Sequence, residues 1–324
     1  MKILVIFTGG TIGSCEKNGS IATDESTKYV LINRYKSVCG GADFDISTPF
    51  SVLSENLSAN ELNLIQKEVI GNLDKGYDGI IVTHGTDTLQ YTAAAIEYAI
   101  CGCSIPVVLV SSDFPLEDES SNGHPNFEAA VEFIKSKPEG GVFVSYKNSA
   151  DAFTSIHLAS RILQHAECSA DIFSIEGVPY ARYDGEVALC GAKQSENQNA
   201  LGYVPYTEDS AVLVIDSRPG DSYAYSLDGI KAVILKPYHS ATLCTASASL
   251  EAFCEKAAAA GIPVFAVNVK HGISYESTEL FAHLNIVSLP FSTYIAAYMK
   301  IWAAVSLGAD TAKFAQRQIA NELV

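Results

Sequence analysis

Two short stretches carry hydroxyls where acyl-transfer chemistry would use them: Thr8-Gly9-Gly10-Thr11-Ile12 near the amino terminus, and His84-Gly85-Thr86-Asp87-Thr88 further along. A threonine hydroxyl is a weak nucleophile that needs a base or proton relay, and the oxyanion formed by its attack needs N–H donors. Gly9 and Gly10 let the chain turn sharply after an apolar run, so that Thr11 presents its hydroxyl. Gly85 permits a second turn, with Thr86 and Asp87 just ahead of a helix that begins near Thr88. Gly10 and Gly85 are therefore candidates for offering main-chain groups to a substrate. Threonine and aspartate at such positions serve equally well as helix caps, so spacing alone leaves both readings open.

Other chemistries fit less well. Read as a dinucleotide fingerprint, the first turn would be Thr8, Gly10 and Gly13, with threonine where the first glycine belongs and no acidic residue about 20 positions on. P-loop, HExxH and GxSxG patterns are absent. The eight cysteines form no CxxC pair and no Cys/His run of metal spacing, which predicts free thiols in a reducing compartment, no metal and no cofactor. Cys101 and Cys103 form a CxC that reads as packing. A net charge of −16 without a basic cluster repels nucleic acid. The apolar run Ile3 to Phe7 is too short for a signal-peptide core or a membrane span, so the expected place is the cytoplasm, with no membrane contact.

The elements that must position these residues are legible as alternation. Runs rich in valine and isoleucine at 3–7, 79–83, 106–112 and 141–146, each followed by a helical pattern, predict an α/β fold with a parallel sheet covered on both faces. Ser58 and Glu61 form a capping box, after which Leu62, Ile65, Val69 and Leu73 recur at helical spacing until Gly76. A second alternating set starts near 211, with strands at 211–216, 231–238, 263–269 and 285–290, a helix at 247–260 and two carboxyl-terminal helices. The chain of 324 residues thus divides into a larger amino-terminal domain at 1–190, a polar linker at 191–210 and a smaller carboxyl-terminal α/β domain at 211–324.

TGGTI and HGTDT together resemble the L-asparaginase family, including its glutaminase-asparaginase and tRNA-amidotransferase relatives. The likeness covers most of the chain, and KAVILKPYHSAT looks like a counterpart segment in the smaller domain. It implies an amidohydrolase that converts L-asparagine, possibly L-glutamine, to the acid and ammonia through an acyl-enzyme on Thr11. Thr86 and Asp87 match the family's second Thr and its Asp, and the Asp holds the substrate's α-ammonium. Ser54 matches the Ser that binds the α-carboxylate, with Glu55 where Gln is common. The polar segment after Thr11 corresponds to a mobile lid carrying a catalytic Tyr, for which Tyr29 is the candidate. Family members assemble as homodimers or homotetramers.

One position departs from the pattern. Arg161, Gln164, Asp171 and Phe173 keep the family's spacing, but Gln164 stands where a Lys is usual, and an amide cannot exchange a proton. Either Tyr29 and Thr11 suffice, another cation such as Lys193 folds in, or the chain binds asparagine or aspartate as a sensor without turning it over. The amidotransferase members of the family carry a further domain ahead of TGGTI, whereas here the motif begins at residue 8, and the acidic composition argues against RNA. His84, His157, His165 and His239 read as structural, Trp302 as packing with Ile295, Tyr298 and Val305, and residues 117–122 as a solvated acidic loop.

Overall fold

The apolar runs form the middle of a sheet because each is hydrophobic on both faces. In a computed structural model, residues 1–17, 20–23, 27–269 and 275–324 are described, with the main chain alone at 13–17, 20–23, 27 and 28. They fall into two compact units, Met1–Val204 with Ile319–Asn321, and Pro205–Gln318 with Glu322–Val324.

The strands of the first unit are β1 (Lys2–Phe7), β2 (Ser14–Lys17), β3 (Ser20–Thr23), β4 (Asp43–Ser47), β5 (Gly79–Thr83), β6 (Pro106–Val110), β7 (Gly141–Tyr146), β8 (Thr154–Leu158), β9 (Ala181–Tyr183) and β10 (Val187–Leu189). Its helices are α1 (Thr27–Val38), α2 (Ala59–Ile70), α3 (Leu89–Ile100) and α4 (Gly123–Lys135). The main sheet runs β10-β9-β8-β7-β6-β5-β1-β4. Pairing is parallel from β4 to β7, as the runs predict, and antiparallel from β7 to β10, an edge that the sequence did not announce. The polar segment after Thr11 pairs β2 with β3 as an antiparallel hairpin, and 18–19 and 24–26 lie outside the described residues.

Alternation assigns the two faces. Ile3, Val5 and Phe7 of β1 join Leu31 and Tyr35 of α1 and Phe127 and Phe133 of α4 in one buried cluster. Leu4 and Ile6 join Ile65 and Val69 of α2 and Leu89, Ala93 and Ile96 of α3 in another. Each fully buried side chain of this size contributes roughly 1.5–3 kcal/mol. These memberships also fix handedness. The crossovers through α2 and α3 advance along the sheet on one face, and that through α1 moves the opposite way on the other, so these three share one hand. The β6-to-β7 crossover advances but places α4 on the α1 face, which gives it the opposite hand.

The capping box at α2 is present, with the Ser58 side chain accepting from the Asn60 N–H and Glu61 accepting from the Ser58 N–H at 3.0 Å, worth about 1 kcal/mol. The helix ends at Ile70 rather than near Gly76. Asn72 explains the stop: its amide donates to the Glu68 carbonyl at 2.7 Å, taking an acceptor that a continuing helix would use.

In the second unit β11 (Val212–Asp216), β12 (Ala232–Lys236), β13 (Val264–Ala266) and β14 (Ile286–Ser288) pair in parallel in sequence order. Its helices are α5 (Ala248–Ala259), α6 (Glu276–Glu279), α7 (Tyr294–Ser306) and α8 (Thr311–Ala315). Lys300 and Glu322 form a buried ion pair at 2.7 Å. Trp302 packs as its helical face predicts, 4.9 Å from the Tyr206 ring and 5.9 Å from that of Tyr298, with its indole N–H donating to the Thr207 carbonyl. Among the described residues no helix is long and apolar enough to cross a membrane.

Candidate active site

β1 and β5 are hydrogen-bonded neighbours, and their carboxyl ends feed the two glycine turns. The chain leaves β1 for α1 on one face and leaves β5 for α3 on the other. Connections that diverge in this way open a crevice at the carboxyl end of the sheet, where ligands bind in open α/β folds. The Thr8 hydroxyl ties the strand ends together by donating to the Thr83 carbonyl at 2.6 Å.

Gly9 and Gly10 have φ of +98° and +73°, in the left-handed region that favours glycine. The Gly10 N–H donates to the Val52 carbonyl at 2.9 Å, and the Val52 N–H donates to the Thr8 carbonyl at 3.0 Å, which anchors the turn on both sides. Space is equally decisive. A Cβ on Gly10 would overlap the main chain of Gly85, one on Gly85 would overlap the Ser54 side chain, and one on Gly9 would overlap Val52. Gly10, Gly85 and Ser54 therefore meet in direct contact, and Thr11 and Thr86, both half-buried, are the next residues along their respective turns.

Ser54 is buried in a short turn at Ser54–Asn56. Its hydroxyl donates to the Asp87 carboxylate at 3.4 Å, and its carbonyl accepts from the Thr88 hydroxyl at 2.9 Å. A serine hydroxyl and an exposed carboxylate thus stand side by side over the turns, a pairing suited to a ligand carrying both charges. Glu55 projects exposed from the same turn.

Gln164 lies against the first turn of α3. Gln90 Nε2 donates both to the Asp87 carbonyl at 3.1 Å and to Gln164 Oε1 at 3.0 Å, and the Tyr91 hydroxyl reaches the same oxygen at 3.4 Å. Gln164 is thereby joined through Gln90 to the loop that bears Thr86 and Asp87. Tyr29 occupies the first turn of α1, 59% exposed, and shares no hydrogen bond with the turns among the described residues. Lys193 is exposed and likewise separate from this network.

His84 is structural. Its Nδ1 faces the Gly85 carbonyl at 2.8 Å and so carries the proton, while Nε2 accepts from the Thr92 hydroxyl at 2.9 Å. Burial pushes its pKa down to about 4, which keeps the imidazole neutral at ordinary pH. Burial likewise takes His157 to about 4, and its Nδ1 bonds the Ser174 hydroxyl at 2.7 Å. Among the described residues no group of three His, Cys, Asp or Glu side chains could hold a metal ion.

Sequence reading missed Val52, Gln90 and Tyr91. Gln90 had a local signal, since it follows Asp87 by three residues on a helical face. Val52 had none, because its contact with Gly9 and Gly10 spans more than 40 residues of chain.

Residues 2–193 match the family model described as Asparaginase, N-terminal. The structure superposes on the thermostable L-asparaginase from Thermococcus kodakarensis with a TM-score of 0.80 at 24% identity, covering 100% of this chain and 99% of that one. The L-asparaginase I of Vibrio cholerae gives 0.78 at 20% identity, again over 100% and 99%. Among curated proteins, a subunit of the Glutamyl-tRNA(Gln) amidotransferase of Sulfolobus acidocaldarius is 30% identical over 72% of this chain and 55% of its own length. Its namesake from Methanosarcina acetivorans is 28% identical over 72% and 57%. The chain spans little more than half the length of these curated relatives. With well over half of its residues inside the family match, and with both glycine turns and Ser54 within that stretch, the chain belongs to the asparaginase family.

Proposed function

We propose that the protein is an L-asparaginase-type amidohydrolase in which Thr11 is the nucleophile. The observation that carries this reading is the direct contact of Gly10, Gly85 and Ser54, which sets the turns bearing Thr11 and Thr86 at one crevice beside Asp87. The Asp87 carboxylate takes the α-ammonium of asparagine and the Ser54 hydroxyl its α-carboxylate, so the side-chain amide is presented to Thr11. Attack of Thr11 Oγ on the amide carbon gives an oxyanion for turn N–H groups to stabilise. Collapse breaks the C–N bond, the leaving nitrogen departs as ammonia with the threonine's proton, and water then releases aspartate. With this reading go Tyr29 as the lid tyrosine, a homodimer or homotetramer, and a cytoplasmic setting.

The test is ammonia release from asparagine and glutamine by the purified protein, with Thr11→Ala as control. Both amides belong in the assay because the curated relatives are named as parts of a Glutamyl-tRNA(Gln) amidotransferase rather than as asparaginases, and one methylene separates the substrates by only about 1–3 kcal/mol. Absence of ammonia from either amide at high protein concentration sinks the hydrolase reading.

A second reading has its own support. Gln164 is bonded to Gln90 and Tyr91; if it stands at the family's Lys position, as the sequence resemblance implies, the relay through Thr86 and Asp87 has an amide in place of a titratable amine. On that reading the chain binds asparagine or aspartate as a sensor, with a thermal shift on aspartate and no turnover.

A further inference from the structure

The reversed crossover through α4 has a structural result of its own: it sets α4 on the same face as α1, with the Tyr35 and Phe127 rings edge to face at 6.3 Å. There the two helices line a cavity of about 270 Å³ that shares no lining residue with the glycine turns. Leu31 and Val38 of α1 and Phe127 of α4 give it apolar walls, and Arg34, His124 and Lys147 line it as well.

Cations gathered over an apolar floor are unexpected in a chain of net charge −16. Arg34 and Lys147 have no ion pair among the described residues. Of the nearby carboxylates, Glu128 accepts from the Tyr183 hydroxyl at 2.9 Å within the lining itself, and Glu132 accepts from the Tyr35 hydroxyl at 2.7 Å and the Lys135 ammonium at 2.8 Å. Lys147 is half-buried, and its main chain is fixed at both ends. Its N–H donates to Asn126 Oδ1 at 2.7 Å, and its carbonyl accepts from Asn122 Nδ2 at 2.8 Å. Burial, and then the charge of Arg34, hold the His124 imidazole below its ordinary pKa, so Arg34 and Lys147 are the cations of the lining. A half-buried ammonium without a counter-ion is stabilised by an arriving anion. The exposed Asp184 and the engaged Glu128 also line the cavity, which favours one negative charge in a ligand over two.

We propose that this cavity binds a small monocarboxylate with an apolar body, an aryl or short-chain alkyl acid. Its carboxylate is set against Lys147 and Arg34, and its apolar part against Leu31, Val38 and Phe127. The site is separate from the crevice at Thr11 and does not depend on the hydrolase reading.

Calorimetric titration of the purified full-length protein with benzoate, benzyl alcohol and succinate tests it. Benzoate saturates, while the neutral alcohol and the dicarboxylate bind about tenfold or more weakly. Lys147→Met and Arg34→Gln each weaken benzoate by a similar factor with the circular dichroism spectrum and melting temperature retained, and Thr11→Ala leaves benzoate binding unchanged. No saturable benzoate binding, equal binding of benzyl alcohol, unaltered binding in both cation variants, or loss of binding in Thr11→Ala would each overturn the proposal.

Discussion

The two units use the same construction, parallel strands joined by helices, yet differ in how strand order relates to chain order. In the second unit the order β11-β12-β13-β14 advances without reversal. Its connecting segments, with Tyr223, Leu227, Phe253 and Phe281, bury themselves in one cluster on one face, and α7 covers the other only after the last strand. In the first unit β1 lies between β4 and β5, so the connections leaving β1 and β5 depart to opposite faces. A crevice opens where paths diverge and stays closed where they run alike. Both glycine turns sit in the first unit at the point of divergence, on two adjacent strand ends, and only glycine lets the two turns approach within main-chain contact.

The largest effect expected from breaking this arrangement is chemical. Thr11→Ala should lower the rate of ammonia release by about 10³-fold or more while aspartate still produces a thermal shift, since only the attacking oxygen is lost. Restoring a titratable amine comes next. Gln164→Lys should raise kcat by about 10²-fold or more if proton transfer limits the reaction; a variant that binds aspartate yet turns over no faster removes the missing amine as the explanation.

The next two changes compare the units directly. Gly10→Ala sets a side chain against Gly85 at φ +73°, and should cost about 3 kcal/mol or more in urea unfolding, combining the left-handed penalty with overpacking. Gly220→Ala, in the second unit at φ +75° with nothing within 4 Å, should cost only about 1–2 kcal/mol. Equal costs at the two glycines would mean that contact between the turns contributes nothing. The smallest effect belongs to the α2 cap, where Ser58→Ala should lower stability by about 1 kcal/mol, read as a shift of the urea midpoint.

Local chemistry was strongly legible. The Val/Ile runs became β1, β5, β6 and β7, the capping box at Ser58 and Glu61 formed, and Trp302 packed among aromatic rings. The runs and the capping box rest on neighbours within a few residues, where periodicity and side-chain type act directly, and the apolar helical face of Trp302 was local even though its partner Tyr206 is not. Less legible were features that carry no periodic signal. The stop of α2 at Ile70 depended on one asparagine amide competing for a carbonyl, and the antiparallel edge β8-β9-β10 came from short strands with little periodicity.

For the candidate site the division is similar. The sequence alone determined that two glycine turns follow apolar strands and offer Thr11, Thr86 and Asp87, because glycine content and strand pattern are local properties. Tertiary structure alone decided that β1 and β5 are neighbours, that Ser54 wedges against Gly85 and reaches Asp87, and that Gln90 holds Gln164. Those contacts join residues far apart along the chain, and strand order together with burial on two faces, rather than any local preference, brings such residues together.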